Sequence, residues 1–339
     1  IFAAAIVARF RSKTLNVTAY DIKSIVHGLG TSNTGEKSWK SENKNKKIKD
    51  DVLLKWGLSQ NNWSAAQNKK LWSSFTDIID SSLKYANSAV VKEWADLFYN
   101  NNLYNKILVL ADGETDQKGT KVDVKVLAND HKEKMIPVNI NVSLKYGAVG
   151  QFGQYGGVEY EIQQKLWKEF FGIETLGITK SQFDSKFGSA QHDKDAANAI
   201  YACYQSVVTL VEKAIVTKKG QKAFAAAIRS HSTRNEEHVT LVALKGSEAV
   251  NYTFENIEET FEGIDFSVSL DKSSARDKEK SGAVDLPIIH IYASEDQTRD
   301  NLLLDIRVKR GEKASDGTPY YRNIFEKKPA FTRLFAQVL

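Results

Sequence analysis

Apolar residues recur along this chain with two different periods, and the change from one to the other organises it. Ile1–Phe10 reads as a helix with apolar residues on several faces. Thr18, followed by Asp21 at the third helical position, opens a second helix that runs to Val26. From Asp51 to about Tyr104, Trp56, Trp63, Trp72, Phe75, Ile79, Leu83, Val91, Trp94 and Phe98 fall at spacings of three and four, which predicts a helical layer. Residues 106–110, 121–127 and 136–144 then alternate with period two and predict a β-meander. Val158, Ile162, Leu166 and Phe170 mark an amphipathic helix to Phe171, and a longer helix spans Asp193 to about Thr217. A helix through Ile228 follows, with strands at 239–244, 266–270, 288–292 and 302–308. Two polar stretches, 28–51 and 271–280, are expected to be exposed loops, and 145–157 a glycine-rich connector. No internal repeat of twenty to fifty residues is present.

These elements predict a mixed α/β (α+β) protein in three consecutive regions: a helical region at 1–104, a core at 105–220 and an α+β region at 221–339. The length of 339 residues, with 42% hydrophobic and 26% charged content, excludes a disordered or low-complexity chain. Cys203 is the only cysteine, which excludes an intrachain disulfide or a cysteine-based zinc cluster and makes reducing cytoplasm the expected compartment. No run of eighteen apolar residues exists, and the apolar start meets Arg9 with no cleavage signature. Neither a membrane span nor a secretory signal is expected. The absence of an initiator Met leads us to expect further residues before Ile1.

The net charge is +5, and most of the excess lies in an arm at 31–50, where six lysines face two glutamates between Thr31 and Lys49. The six histidines lack metal-ligand spacing, and neither a Gly-x-Ser-x-Gly nucleophile elbow nor a phosphate-binding glycine loop ending in Gly-Lys-Ser/Thr is present. Cys203 sits in an apolar helical pattern and reads as core.

Two charged residues in otherwise apolar strands remain. Asp123 begins one predicted strand, and Lys145 ends the next, twenty-two residues later, within Asn141-Val-Ser-Leu-Lys145. Neighbouring strands can bring a carboxylate and a lysine to one sheet edge, as metal-dependent phosphodiester hydrolysis requires. In this pattern the chain resembles the PD-(D/E)XK, or restriction-endonuclease-like, nucleases over about Lys106–Gly172. It departs from the family in carrying Ser143 where an acidic residue usually precedes the lysine by two, as in a subgroup that takes its second carboxylate from the following helix. The resemblance implies a restriction-endonuclease-like mixed sheet flanked by helices and a Mg²⁺-dependent DNA endonuclease, with Mn²⁺ as a substitute. Asp123, Glu159 and the Leu144 carbonyl would hold the metal, Lys145 would act on the attacking water, and Ser143 would hold a metal-bound water. Glu161 is the rival of Glu159, because two positions on a helix are about 200° apart and only one can face a site.

Residues 302–309 and 320–326 resemble the closing segment of phage-encoded predicted nucleases, and a phage-encoded protein would be expected in the cytoplasm of a bacterial host cell. DNA is therefore the expected partner, through Gln151 and Gln154 in the connector, Lys44, Lys46 and Lys47 in the arm near Trp39, and Arg307, Lys309 and Arg322 near the end. A homodimer would suit cleavage of both strands. The competing expectation is a non-catalytic DNA-binding or virion protein that retains the nuclease fold, which Ser143 favours.

Overall fold

The computed structural model describes residues 1–12, 16–30, 34–40, 51–57, 75–100, 104–111, 122–129, 134–146, 150–187, 193–233, 239–272, 285–310 and 321–339. The fold is mixed α/β with a large mixed sheet flanked by helices. Two compact units are each assembled from separated stretches: Ile1–Ala148, Thr233–Thr253 and Gln337–Leu339 form the first, Val149–Ser232 and Phe254–Ala336 the second. The three consecutive regions expected from the sequence do not coincide with these units, because the chain leaves the first unit and returns to it twice.

The first unit is built on an eight-stranded sheet. Its strands are β1 (Thr34–Lys40), β2 (Asp51–Gly57), β3 (Lys106–Ala111), β4 (Val124–Asn129), β5 (Met135–Tyr146), β7 (Val239–Lys245), β8 (Glu248–Tyr252) and β13 (Ala336–Val338), adjacent in that order. β2–β3 and β5–β7 pair parallel, and β3, β4 and β5 form the antiparallel meander that the period-two pattern predicts. Val52, Leu54, Ile107, Val109, Val124, Val126, Ile140, Val142, Val242 and Leu244 share one hydrophobic core with residues of α1 (Phe2–Arg11), α2 (Ala19–His27), α3 (Thr76–Ala86) and α4 (Ala89–Asn100). Nine of the ten residues of α1 are buried, in keeping with its apolar character on several faces. The expected capping box starts α2, with the Thr18 N–H donating to Asp21 Oδ2 at 2.8 Å and the Asp21 N–H donating to Thr18 Oγ1 at 3.4 Å.

Two expectations for this unit fail. Part of the expected loop at 28–51 is strand β1, paired with β2 from Thr34↔Gly57 to Lys40↔Asp51. It sits at the sheet edge and is mostly exposed, so it has no apolar alternation to reveal it. The start of the expected helical layer is strand β2, whose Val52, Leu54 and Trp56 alternate inward. The arm lysines Lys44, Lys46 and Lys47 lie outside the described residues.

The second unit holds a five-stranded antiparallel sheet, ordered β6 (Gln151–Gly156), β12 (Tyr321–Lys327), β11 (Leu302–Arg310), β10 (Pro287–Tyr292) and β9 (Ser267–Lys272). The expected glycine-rich connector is therefore in part an edge strand, β6. Its Gly153 is required, since a Cβ there would stand 2.9 Å from His231 Cβ and from the Phe325 ring. The helices are α5 (Tyr160–Phe171), α6 (Lys180–Phe187), α7 (Asp193–Ile215), α8 (Lys218–Thr233), α9 (Ile257–Glu262) and α10 (Pro329–Phe335). Phe170 of α5 packs on Phe325 of β12 with ring centroids 4.6 Å apart, and α7 packs against β9 and β10. Among the described residues no single helix is long and apolar enough to cross a membrane.

A buried polar network ties α5 and α7 to β12. Asn323 Oδ1 accepts from Tyr204 Oη at 2.9 Å and from Gln163 Nε2 at 3.2 Å, Asn323 Nδ2 donates to the Gly157 carbonyl at 3.0 Å, and Trp167 Nε1 donates to Gln163 Oε1 at 3.2 Å. All four side chains are fully buried, so each lost bond would leave a dry polar atom. Asn323→Ala is expected to lower the unfolding free energy by about 3 kcal/mol, because it strands the Tyr204 hydroxyl and removes the bond to the Gly157 carbonyl, while the Gln163 amide keeps the Val158 carbonyl at 3.3 Å. Urea denaturation followed by circular dichroism checks this, and an unchanged midpoint would contradict it.

Candidate active site

β4 and β5 pair antiparallel with Val124 opposite Val142. The paired register ends there, and Asp123 is a bend residue immediately before β4. Strand alternation then puts Lys145 on the same face as Ser143, while Val124 and Val142 face the helix-packed core. The Asp123 N–H donates to the Val142 carbonyl at 2.8 Å, and Asp123 Oδ2 accepts from the Leu144 N–H at 2.5 Å. The aspartate thus closes the end of the ladder with its own carboxylate, which fixes the orientation of that group. Because the N–H and C=O of a strand residue point to the same side, the Leu144 carbonyl also faces β4.

Ser143 is fully buried, and its Oγ has no hydrogen-bond partner among the described residues. A hydroxyl in this position loses its water without compensation, which costs about 1–3 kcal/mol. Lys145 is half-buried and makes no ion pair among the described residues. Its neighbour in the β5–β7 register is Ala243, and the small side chain leaves room beside the lysine stem.

Glu159 and Glu161, the two candidates for a second carboxylate, both belong to the second unit. Glu159 is the N-cap residue of α5, and its carboxylate occupies the space that a Cβ on Gly157 would enter, at a position whose φ of +83° itself favours glycine. Glu161 pairs with Lys180 at 3.0 Å, and the hydrogen bond from Lys180 holds its carboxyl below the usual carboxylate range. Of the expected catalytic set, the first unit holds Asp123, Ser143, Leu144 and Lys145, and Asp123 bonds the Leu144 amide.

These groups fit a hard divalent cation. A carboxylate, a partnerless buried hydroxyl and a carbonyl are oxygen donors of the kind Mg²⁺ and Mn²⁺ take, and Mg²⁺ commonly uses one or two carboxylates with waters and phosphate oxygens completing its shell. Among the described residues no three His, Cys, Asp or Glu side chains form a metal-binding group, so within the first unit Asp123 would be the carboxylate ligand.

The expected DNA-contact residues that are described converge on one face of the second unit's sheet. Arg307 and Lys309 alternate on β11, Arg322 opposes Lys309 on β12, and Gln154 opposes Ile324 beside it. Arg322 Nη1 donates to Gln154 Oε1 at 3.2 Å, and Gln151 Nε2 donates to the same oxygen at 3.0 Å. A charged group that the sequence reading missed lies on this face too. Asp305, nearly fully buried, accepts from Lys328 Nζ at 2.6 Å and stands 2.6 Å from His290 Nδ1. An aspartate inside the apolar run Leu302-Leu-Leu-Asp-Ile-Arg-Val308 was its available signal.

Burial pushes the Cys203 thiol up to about 12, which agrees with its expected core role. Cys203 is therefore expected to resist thiol reagents at neutral pH in the folded protein and to react only on denaturation, as a thiol-titration time course would report. Replacing the buried hydroxyl, which has no partner among the described residues, in Ser143→Ala is expected to leave stability unchanged or raise it by up to about 1 kcal/mol. A clear loss in thermal unfolding would show that the hydroxyl is bonded. Comparison with family models, with curated proteins and with solved structures gave no match.

Proposed function

We propose that the chain is a Mg²⁺-dependent DNA endonuclease of restriction-endonuclease-like fold. The observation that carries this reading is the end of the β4–β5 hairpin. There Asp123 is fixed by the Leu144 amide, the buried Ser143 hydroxyl has no partner among the described residues, and Lys145 follows on the same face. The sheet around it supports the reading, since an antiparallel β3–β4–β5 meander continues into β7, parallel to β5, giving a mixed sheet as the resemblance implies.

Asp123 would hold the metal, with the Ser143 hydroxyl and the Leu144 carbonyl as neutral oxygen donors beside it. A bound Mg²⁺ supplies charge stabilisation at the phosphate and lowers the pKa of a coordinated water. Lys145 places its ammonium where it orients the attacking water and offsets the charge that builds on the non-bridging phosphate oxygens. Its half-buried setting strengthens that interaction relative to open solvent.

A plasmid or oligonucleotide duplex incubated with Mg²⁺ or with EDTA tests this. Cleavage is expected with Mg²⁺ and not with EDTA, and Asp123→Ala and Lys145→Ala are each expected to lower its rate by about 100-fold or more while DNA binding persists. Binding without cleavage in Mg²⁺ and in Mn²⁺ would instead favour the non-catalytic DNA-binding reading, to which Ser143 in place of a second carboxylate points.

A further inference from the structure

Lys309 and Arg322 are direct partners in the β11–β12 register, so their side chains leave the same face of the sheet side by side. Like charges in that relation oppose folding. Neither residue has a carboxylate partner among the described residues; Arg322 bonds only to the neutral Gln154, and its Nε is buried without a partner. Elsewhere on the same face the charges are matched. Lys328 lies 2.6 Å from Asp305 and 3.2 Å from Glu326, and Arg307 lies 3.8 Å from Glu326.

Unmatched positive charge therefore collects at one corner, beside edge strand β6. Three features there suit an incoming anion. Gln154 is exposed, and because its carbonyl oxygen already receives Arg322 and Gln151, its amide N–H groups remain as donors. Gly156, the β6 partner of Arg322, is exposed and has no side chain to block approach. The guanidinium and the ammonium project from adjacent strands, so a single phosphate between them would turn a repulsive pair into two charge-assisted hydrogen bonds.

We infer that this corner binds one backbone phosphate of DNA, shared by Lys309 and Arg322, with Gln154 as a neutral donor. The inference takes the identity of the polyanion from the nuclease reading, but it does not depend on Asp123 or Lys145.

Binding of a fluorescent duplex oligonucleotide in EDTA, where no cleavage occurs, tests it through the salt dependence of affinity. Each phosphate neutralised contributes about 0.9 to the slope of log affinity against log salt. The double variant Lys309→Gln/Arg322→Gln is expected to lower that slope by about 0.9. The wild type then loses about three- to fourfold more affinity than the variant between about 50 and about 200 mM salt. Lys309→Arg, which keeps the charge, and Lys213→Gln, on the exposed side of α7, should leave the slope alone. Free of DNA, Lys309→Gln should melt no earlier than the wild type, since it relieves a repulsion. An unchanged slope in the double variant overturns the inference, and a fall of about 1.8 overturns the sharing, because it means two separate phosphates. Asp123→Ala separates the two claims. If it still cleaves while the double variant has lost slope, the proposed catalytic site fails and this contact stands; if it is inactive while the double variant binds as before, the reverse holds.

Discussion

Everything proposed for catalysis depends on how β4 is registered against β5. With Val124 opposite Val142, the apolar residues of both strands meet the helices, Ser143 and Lys145 turn to the other face of β5, and Asp123 is held at the end of the ladder by its bonds to Val142 and Leu144. A slip of one residue in β5 would turn Val142 out and Ser143 and Lys145 towards the helices. The hydrophobic core of the first unit therefore holds the polar site in place indirectly: burying Val124, Val126, Ile140 and Val142 is what fixes the register. The Asp123 carboxylate adds a local constraint at the end of the ladder by accepting the Leu144 amide, so the site and the strand terminus share one hydrogen bond.

The second unit treats polar groups in three ways, according to how dry they are. In its core, Asn323, Gln163, Tyr204 and Trp167 are neutral and bond to one another. Asp305 is charged and nearly buried, a costly situation unless paired, and it takes two partners, the Lys328 ammonium and the His290 ring. Lys309 and Arg322, at the wetter margin of the sheet, are left without counter-charges among the described residues. The nearly buried Asp305 is thus paired, while the more exposed Lys309 ammonium is left where a charged ligand has access.

The elements legible in the sequence were those with one buried face and one period. Strands β3, β4, β5, β7, β9, β10 and β11 and helices α1, α2, α5 and α7 all lie where alternation or threes-and-fours spacing places them. β1 and β6 escaped because an edge strand buries little and is held by backbone hydrogen bonds to a neighbour, which leave no mark on side-chain pattern. β2 escaped because its Val-Leu-Trp alternation ran into a region of helical spacing.

For the candidate site, the residue types and the strand-to-strand spacing of Asp123 and Lys145 were readable, since charge inside an apolar strand stands out one residue at a time. The convergence of Gln151, Gln154, Arg307, Lys309 and Arg322 on a single sheet face was not, and neither was the assignment of Glu159 to a different unit from Asp123. Sequence alone determined the strands and helices that bury one face with a single period, and which way their side chains alternate, because local sterics and one-sided burial act within a few residues. Which strands became neighbours, and hence which distant charges share a surface, was decided only by the tertiary structure, because pairing joins residues more than a hundred positions apart through backbone groups that every residue carries alike.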